Sequence, residues 1–283
     1  MPELPEVETM RRGIAALAGR RISGVRQPGS RLRPIQVTPR LPEFQRRVTG
    51  HRIRQIGRLG KRIVLELEGA ERIVIEPRMT GLVLTAHPPD EEHLRFVLTL
   101  AGLPQAELLF WDQRGLGTVC LLSPEDFHRQ YGPDKLGPDA LEVSAAGLRE
   151  RLATGRRPIK VALMDQRCLA GVGNLYASEI LHRAGLHPAI PCDRIHARQW
   201  LRLHAEMGEV LHAAIQHQGS TLRDGTYRIA RDQPGNFQFC HRVYQRTGQP
   251  CLQCGRGKIV RIVQAQRSTF YCPCCQRPPR AAP

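Results

Sequence analysis

The first residues, Met1-Pro2-Glu3-Leu4-Pro5-Glu6, set an imino acid beside two carboxylates. Proline is small enough for the initiator methionine to be removed, which leaves a secondary amine on Pro2. An α-amino group has a free pKa of about 7.7–8.0, so a good part of it is neutral at pH 7. Such an amine attacking a carbonyl carbon forms a cationic iminium, the covalent logic of a lysine Schiff base. Glu3 and Glu6 stand where they can move protons during that attack. A second set of reactive side chains lies near the other end, as Cys251-Leu-Gln-Cys254 and, seventeen residues on, Cys272-Pro-Cys-Cys275. Two such pairs place four thiolates around one Zn2+ and leave it no open position, so the metal is structural. Cys274 competes as a ligand, but only Cys275 completes the two-residue spacing.

These groups need elements to hold them. Pro5 suits the first turn of a helix, and Val7, Met10, Ile14 and Leu17 recur at helical spacing. The positive end of that helix falls beside Pro2 and favours an uncharged amine. Next come a strand at 21–25 and a Pro- and Arg-rich loop from Gln27 to Pro42. Alternation follows at 61–67, with Ile63, Leu65 and Leu67 on one face and Lys61 sharing their parity. Further strands are expected at 72–76, 82–86, 94–100, 106–111 and 117–122, a spacing that suggests an antiparallel sandwich or barrel. Ser123 caps a short helix. Turn residues from Gly132 to Asp139 separate the strand patterns from helical ones at 145–153, 159–166, 174–184 and 196–217. Gly171, Gly173 and Asn174 build a turn into a helix, with Asn174 as N-cap and free amides able to bind an anion. Between the cysteine pairs, 258–271 reads as a basic hairpin.

Lys and Arg total 42 against 26 acidic residues, a net charge of +16, which points to a polyanionic partner such as nucleic acid. No apolar run reaches membrane-spanning length, and no secretory signal opens the chain, so a cytoplasmic, reducing setting is expected. Nine cysteines, an odd number with five of them between 251 and 275, favour a metal site over a disulfide framework.

The stretch from Pro2 to Glu8 resembles the N-terminus of the formamidopyrimidine-DNA glycosylase family. Gln266-Arg267-Ser268-Thr269-Phe270-Tyr271-Cys272 resembles its zinc-finger motif, and 158–185 resembles its helix–two-turns–helix motif. Leu4 stands where the endonuclease VIII relatives usually carry Gly. The resemblance implies that Pro2, Glu3, Lys61 and Arg267 are catalytic, and that Lys61, Asn174 and Arg267 hold phosphates around the lesion, with Lys160 assisting. It implies that Met79, Arg114 and Leu116 fill the gap left by an everted base. Here the chain departs from the family's Asp-Pro-Arg-Arg-Phe-Gly, reading Asp112-Gln113-Arg114-Gly115-Leu116-Gly117. The loop 219–236, with Ser220, Thr221 and Arg223, matches the segment that covers an everted purine.

The expected fold class is therefore α+β and multidomain. Residues 1–131 form a catalytic β-sandwich with flanking helices, and 132–143 a hinge. A helix–two-turns–helix domain with the lesion loop covers 144–236, a zinc hairpin 237–276 and a tail 277–283. The expected function is a monomeric glycosylase and AP lyase acting on oxidised purines in damaged double-stranded DNA, with no membrane role. The alternatives are a zinc-dependent DNA-binding protein without activity, and a glycosylase preferring oxidised pyrimidines or hydantoins.

Overall fold

The structure, a computed structural model, describes residues 2–29, 31–102, 106–222, 227–228 and 233–278. By their contacts, Met1–Gly132 with Ile215–Gln238 make one unit, and Pro133–Ala214 with Phe239–Pro283 make a second. The segment 215–238 thus groups with the N-terminal unit, whereas the sequence attached it to the helical domain. Arg223 and the tail residues 279–283 lie outside the described residues.

In the first unit, α1 (Leu4–Gly13) buries Leu4, Val7 and Met10. Each apolar side chain so removed from water contributes about 1.5–3 kcal/mol. Two sheets follow. One has the order β1 (Ile22–Arg26), β7 (Leu94–Leu100), β8 (Glu107–Asp112), β6 (Gly81–Leu84). The other runs β2 (Gln36–Thr38), β9 (Thr118–Leu122), β5 (Arg72–Glu76), β4 (Arg62–Leu67), β3 (Ile53–Leu59). Ile63, Leu65 and Ile73 of the second sheet meet Phe96, Leu98 and Phe110 of the first in one core, which also takes Val7 and Met10. The other face of the second sheet is covered too. Val64, Val74, Cys120 and Leu122 pack under Phe127 and Tyr131 of α3 (Pro124–Tyr131). Burial on both faces is why these strands carry apolar residues at both parities. The sandwich is not wholly antiparallel, because β2 pairs with β9 in parallel. The loop expected from 27 to 42 holds β2 and the start of α2 (Leu41–Val48), whose Phe44 and Val48 enter the core.

The second unit contains α4 (Ala145–Leu152), α5 (Ile159–Met164) and α6 (Asn174–Ala184), and most of α7 (Ala197–Gln216). Ser144 caps α4, its Oγ accepting from Gly147 N at 3.1 Å. α6 stops at Gly185, whose φ of +69° is the left-handed C-cap geometry. Glu179 of α6 is buried and accepts from the backbone N–H groups of Arg242, Val243 and Tyr244 at 2.9, 3.0 and 2.8 Å. That carboxylate fixes the entry into the zinc region. The hairpin itself is β10 (Val260–Gln264) against β11 (Arg267–Tyr271), with Gln264 opposite Arg267.

Candidate active site and nucleic-acid contacts

Pro2, Glu3 and Glu6 are all buried at the N-terminal end of α1. Glu3 is the N-cap, and Glu6 Oε2 accepts from Glu3 N at 2.9 Å, the returning half of a capping box. The other oxygen, Oε1, accepts from Ser220 N at 2.8 Å. Glu6 therefore ties the start of the 219–236 loop to the N-terminal end of α1. Gly219, at φ +78°, makes room for this, since a Cβ there would come within 2.8 Å of Glu6 Oε1. Tyr227 lies buried alongside, its hydroxyl donating to Gln218 O at 3.0 Å. Burial, with the nearby Glu6 carboxylate, pushes that phenol well above its ordinary pKa, so it stays neutral. Ser220 is buried, and Thr221 is fixed by Gln238 Oε1 accepting from its N at 3.0 Å and by its own hydroxyl donating to Tyr227 O at 2.7 Å.

Lys61 is not on β4 as the alternation suggested. It occupies the second position of the two-residue turn Gly60-Lys61 between β3 and β4, next to the Leu59–Arg62 pair, and is half-buried. Met79, also half-buried, and the exposed Arg114 sit on loops that one carboxylate joins. Asp112 is fully buried. Its Oδ1 accepts from Thr80 Oγ1 at 2.5 Å and from Arg114 N at 3.3 Å, and its Oδ2 from Gly117 N at 2.7 Å. Thr80 Oγ1 accepts in turn from Arg114 N at 3.0 Å. The Met79 loop and the Arg114–Leu116 loop are thereby one braced assembly, with Leu116 half-buried. Gly115 has φ +60°, and a Cβ there would lie 2.5 Å from Arg33 O. The departure from the family's arginine at this position is therefore built into the neighbouring 31–34 segment.

In the second unit, Gly173 rather than Asn174 is the N-cap of α6. Asn174 instead uses its side chain across the fold, Nδ2 donating to Ser268 O at 3.0 Å while Oδ1 accepts from Lys160 Nζ at 2.6 Å. Lys160 is 1% exposed, and its ammonium also donates to Thr269 Oγ1 at 2.7 Å and Ser268 O at 3.3 Å. This differs from a lysine reaching a phosphate directly. An asparagine amide carries two N–H donors, so one on Asn174 Nδ2 remains beyond the bond to Ser268. Arg267 is exposed, just past the turn Ala265-Gln266, whose φ values of +46° and +60° are both left-handed. Positive φ at both central residues is the geometry that a two-residue hairpin turn favours. The base of this turn is tied to Asn174 and Lys160 through Ser268 and Thr269.

Behind the hairpin, Cys251, Cys254, Cys272 and Cys275 bring their sulfurs within 4.8 Å of one another. The Cys251–Cys275 and Cys254–Cys272 distances are 3.8 and 3.7 Å. A tetrahedron with Zn–S bonds of about 2.3 Å has edges of about 3.8 Å, so the four thiolates fit zinc. Backbone N–H groups of Gly257 and Arg256 lower the Cys254 thiol to about 6, whereas burial and the neighbouring sulfurs raise Cys272 and Cys275, so the full set of thiolates calls for a cation among them. The buried His182 of α6 sets Nε2 3.4 Å from Cys251 Sγ. Sequence reasoning passed over His182, Thr80, Asp112 and Glu179. Only Asp112 had a local sign, because it opens the stretch that departs from the family pattern.

A β-sandwich followed by a helix–two-turns–helix unit and a four-cysteine zinc hairpin defines a class of nucleic-acid-processing protein. Residues 1–119 match the formamidopyrimidine-DNA glycosylase N-terminal domain, 136–226 the H2TH domain of the same enzymes, and 248–278 the zinc finger found in FPG and IleRS. The formamidopyrimidine-DNA glycosylase of Chloroflexus aggregans is 42% identical over 282 residues, covering 98% of both chains. That of Solibacter usitatus is 40% identical, covering 98% of this chain and 100% of its own. The crystal structure of MutM (Fpg) from Thermus thermophilus superposes with a TM-score of 0.83 at 37% identity, over 97% of this chain and 98% of that one. A Lactococcus lactis Fpg mutant bound to Fapy-dG-containing DNA gives 0.85 at 31% identity, over 98% and 100%. The chain belongs to the formamidopyrimidine-DNA glycosylase family.

Proposed function

We propose that this chain is a bifunctional DNA glycosylase and AP lyase of base excision repair, taking oxidised purines from duplex DNA. The observation that carries the reading is the N-terminal cluster. Pro2 is buried next to Glu3, the N-cap of α1, and Glu6 bonds both Glu3 N and Ser220 N. Likeness to Fpg structures bound to Fapy-dG DNA and to abasic-site DNA supports the same substrate class.

In this mechanism the Pro2 nitrogen, freed of Met1, attacks C1′ of the damaged nucleotide. The bond from C1′ to the base breaks, and the base leaves with a proton. Glu3 protonates the ribose ring oxygen as the ring opens, giving an iminium between C1′ and Pro2. That cation acidifies the C2′ hydrogen. Its removal expels the 3′ phosphate, and a second elimination expels the 5′ phosphate. Hydrolysis of the iminium returns the amine. Lys61 and Arg267 carry positive charge to the flanking phosphates, and Asn174 offers its remaining amide hydrogen. Lys160 acts through Asn174 rather than on the phosphate. Met79, Arg114 and Leu116 occupy the space the everted base leaves. When bound, zinc is held by Cys251, Cys254, Cys272 and Cys275 and keeps the hairpin rigid. Among the described residues, no helix is long and apolar enough to cross a membrane. The reading includes a monomer working on DNA in the cytoplasm, and size-exclusion chromatography with light scattering checks the mass.

The test is excision from a duplex carrying 8-oxoguanine opposite cytosine. Glu3→Gln is expected to abolish base release, and Pro2→Gly to weaken strand cleavage at a preformed abasic site. Full base release by Glu3→Gln would remove Glu3 from its role.

A further inference from the structure

Glu8, on the same helix as the catalytic cap, gathers three guanidinium groups. Its Oε1 accepts from Arg11 Nη2 and from Arg12 Nε, both at 2.8 Å. Its Oε2 accepts from Arg11 Nε at 3.0 Å and from Arg58 Nε at 3.3 Å. Arg58 belongs to β3, and its side chain is 9% exposed against 11% for Glu8. Its far end does something more specific than pairing charge. Arg58 Nη1 donates to Gly60 O at 3.0 Å, and Gly60 O belongs to the peptide that leads into Lys61. Gly60 stands at φ +57°, the left-handed backbone that a two-residue hairpin turn favours and glycine supplies, and the guanidinium holds the next peptide. Arg11 Nη1 adds a longer bond to Ile56 O at 3.5 Å on the same strand. An exposed ion pair contributes little, but this one is shielded from water and branched. A planar fork is what allows one side chain to bridge a carboxylate and a carbonyl at once.

We propose that Glu8 and Arg58 are a positioning couple that sets the Gly60-Lys61 turn against the N-terminal end of α1, so that Lys61 meets a substrate phosphate in register with Pro2 and Glu3. The proposal rests on Lys61 being a phosphate contact. Arg58 does not itself touch the substrate. Glu8 anchors it to α1, the helix that Glu3 caps and Pro2 precedes, and Arg58 Nη1 holds the carbonyl of the peptide before Lys61. Lysine at position 58 would keep a charge near Glu8 yet lose the second bond, since its ammonium has no fork.

The experiment compares Lys61→Met, Arg58→Met, Arg58→Lys and the double variant Arg58→Met with Lys61→Met. Affinity for a duplex containing an abasic-site analogue is measured across a salt series, and single-turnover cleavage on an abasic duplex gives the rate. Lys61→Met is expected to lower the slope of log K against log salt by about 0.9, the loss of one phosphate contact. Arg58→Met is expected to lower the slope by the same amount and the rate by tenfold or more, with Arg58→Lys behaving like it. The double variant should be no worse than Lys61→Met alone, in slope and in rate. A slope that falls twice as far in the double variant would mean that Arg58 holds a phosphate of its own, and the couple would be overturned. Equally, normal slope and rate in Arg58→Met beside an impaired Lys61→Met would overturn it. An unimpaired Lys61→Met would instead sink the phosphate role of Lys61. Should Arg58→Met fail to fold, Glu8→Gln carries the same comparison, since it weakens the Oε2 acceptor without removing the side chain.

Discussion

Lys160→Met separates two roles that a lysine can play near DNA. The substitution keeps the length of the side chain and removes the ammonium. The bonds lost include those of 2.6 Å to Asn174 Oδ1, 2.7 Å to Thr269 Oγ1 and 3.3 Å to Ser268 O. A hydrogen bond with a charged partner contributes about 1.5–3 kcal/mol, and the third is long enough to sit at or below the weak end. Against this, the variant no longer holds an ammonium at 1% exposure, a desolvation penalty of several kcal/mol. The two nearly offset, leaving a net loss of about 1–2 kcal/mol, or roughly 2–8 °C in Tm at about 2–4 °C per kcal/mol. Binding suffers differently. Asn174 loses the partner that orients its amide, so one phosphate hydrogen bond of about 1.5–3 kcal/mol weakens, a loss of about 10- to 150-fold in Kd. Fluorescence anisotropy on an abasic-analogue duplex, repeated across a salt series, reads both affinity and slope. The salt slope should match wild type, because Lys160 touches protein and not phosphate. A slope lower by about 0.9 would refute this reasoning and make Lys160 a direct contact. Unchanged affinity would refute the positioning of Asn174.

Gly115→Ala places a side chain at φ +60° with its Cβ 2.5 Å from Arg33 O. The backbone alone costs about 1–2 kcal/mol, so thermal melts should fall by at least about 2–4 °C. A melt at or above wild type would show that the loop has slack. Burial alone would raise the Glu8 carboxyl, but hydrogen bonds from Arg11 and Arg12, with the field of Arg58, hold it at about 2 against an ordinary 4.5. A depressed carboxyl contributes stability that is complete above about pH 4.5 and is lost as pH falls toward about 2. Denaturant titrations of Glu8→Gln should therefore lose part of the acid-limb slope in that window, and an identical slope would show that Glu8 is not its source. His182→Phe removes the nitrogen 3.4 Å from Cys251 Sγ. Loss of such an outer partner costs about 10–100-fold in metal affinity, so a chelating dye should draw zinc from this variant faster. Release at the wild-type rate would leave His182 as packing.

What was legible in the chain was local chemistry. The cysteine pairs and the Pro2–Glu3–Glu6 cluster depend on spacing within a few residues. The helix caps at Ser123 and Gly185 did too. What was not legible depends on partners far away. Glu6 and Ser220 are 214 residues apart, so nothing nearby marks 215–238 as part of the first unit. Lys160 looks like any surface lysine on a short helix, and its burial depends on partners that include Ser268 and Thr269, 108 and 109 residues on. β3 was missed because Arg54, Gln55, Gly57 and Arg58 dilute its alternation, and that put Lys61 on a strand instead of in a turn. Asn174 is a good cap by type, yet Gly173 takes the cap and frees Asn174 for the hairpin.

A Pro2 nucleophile can be trapped on DNA with borohydride. Protein shown by intact mass to begin at Pro2 is mixed with a duplex carrying 8-oxoguanine opposite cytosine, with an abasic-site duplex, and with an undamaged control. A covalent adduct is expected with both damaged duplexes and none with the control, with peptide mapping placing the DNA on Pro2. An adduct with the abasic duplex alone would contradict the purine assignment. No adduct with either, or one mapped to a lysine, would contradict the Pro2 mechanism.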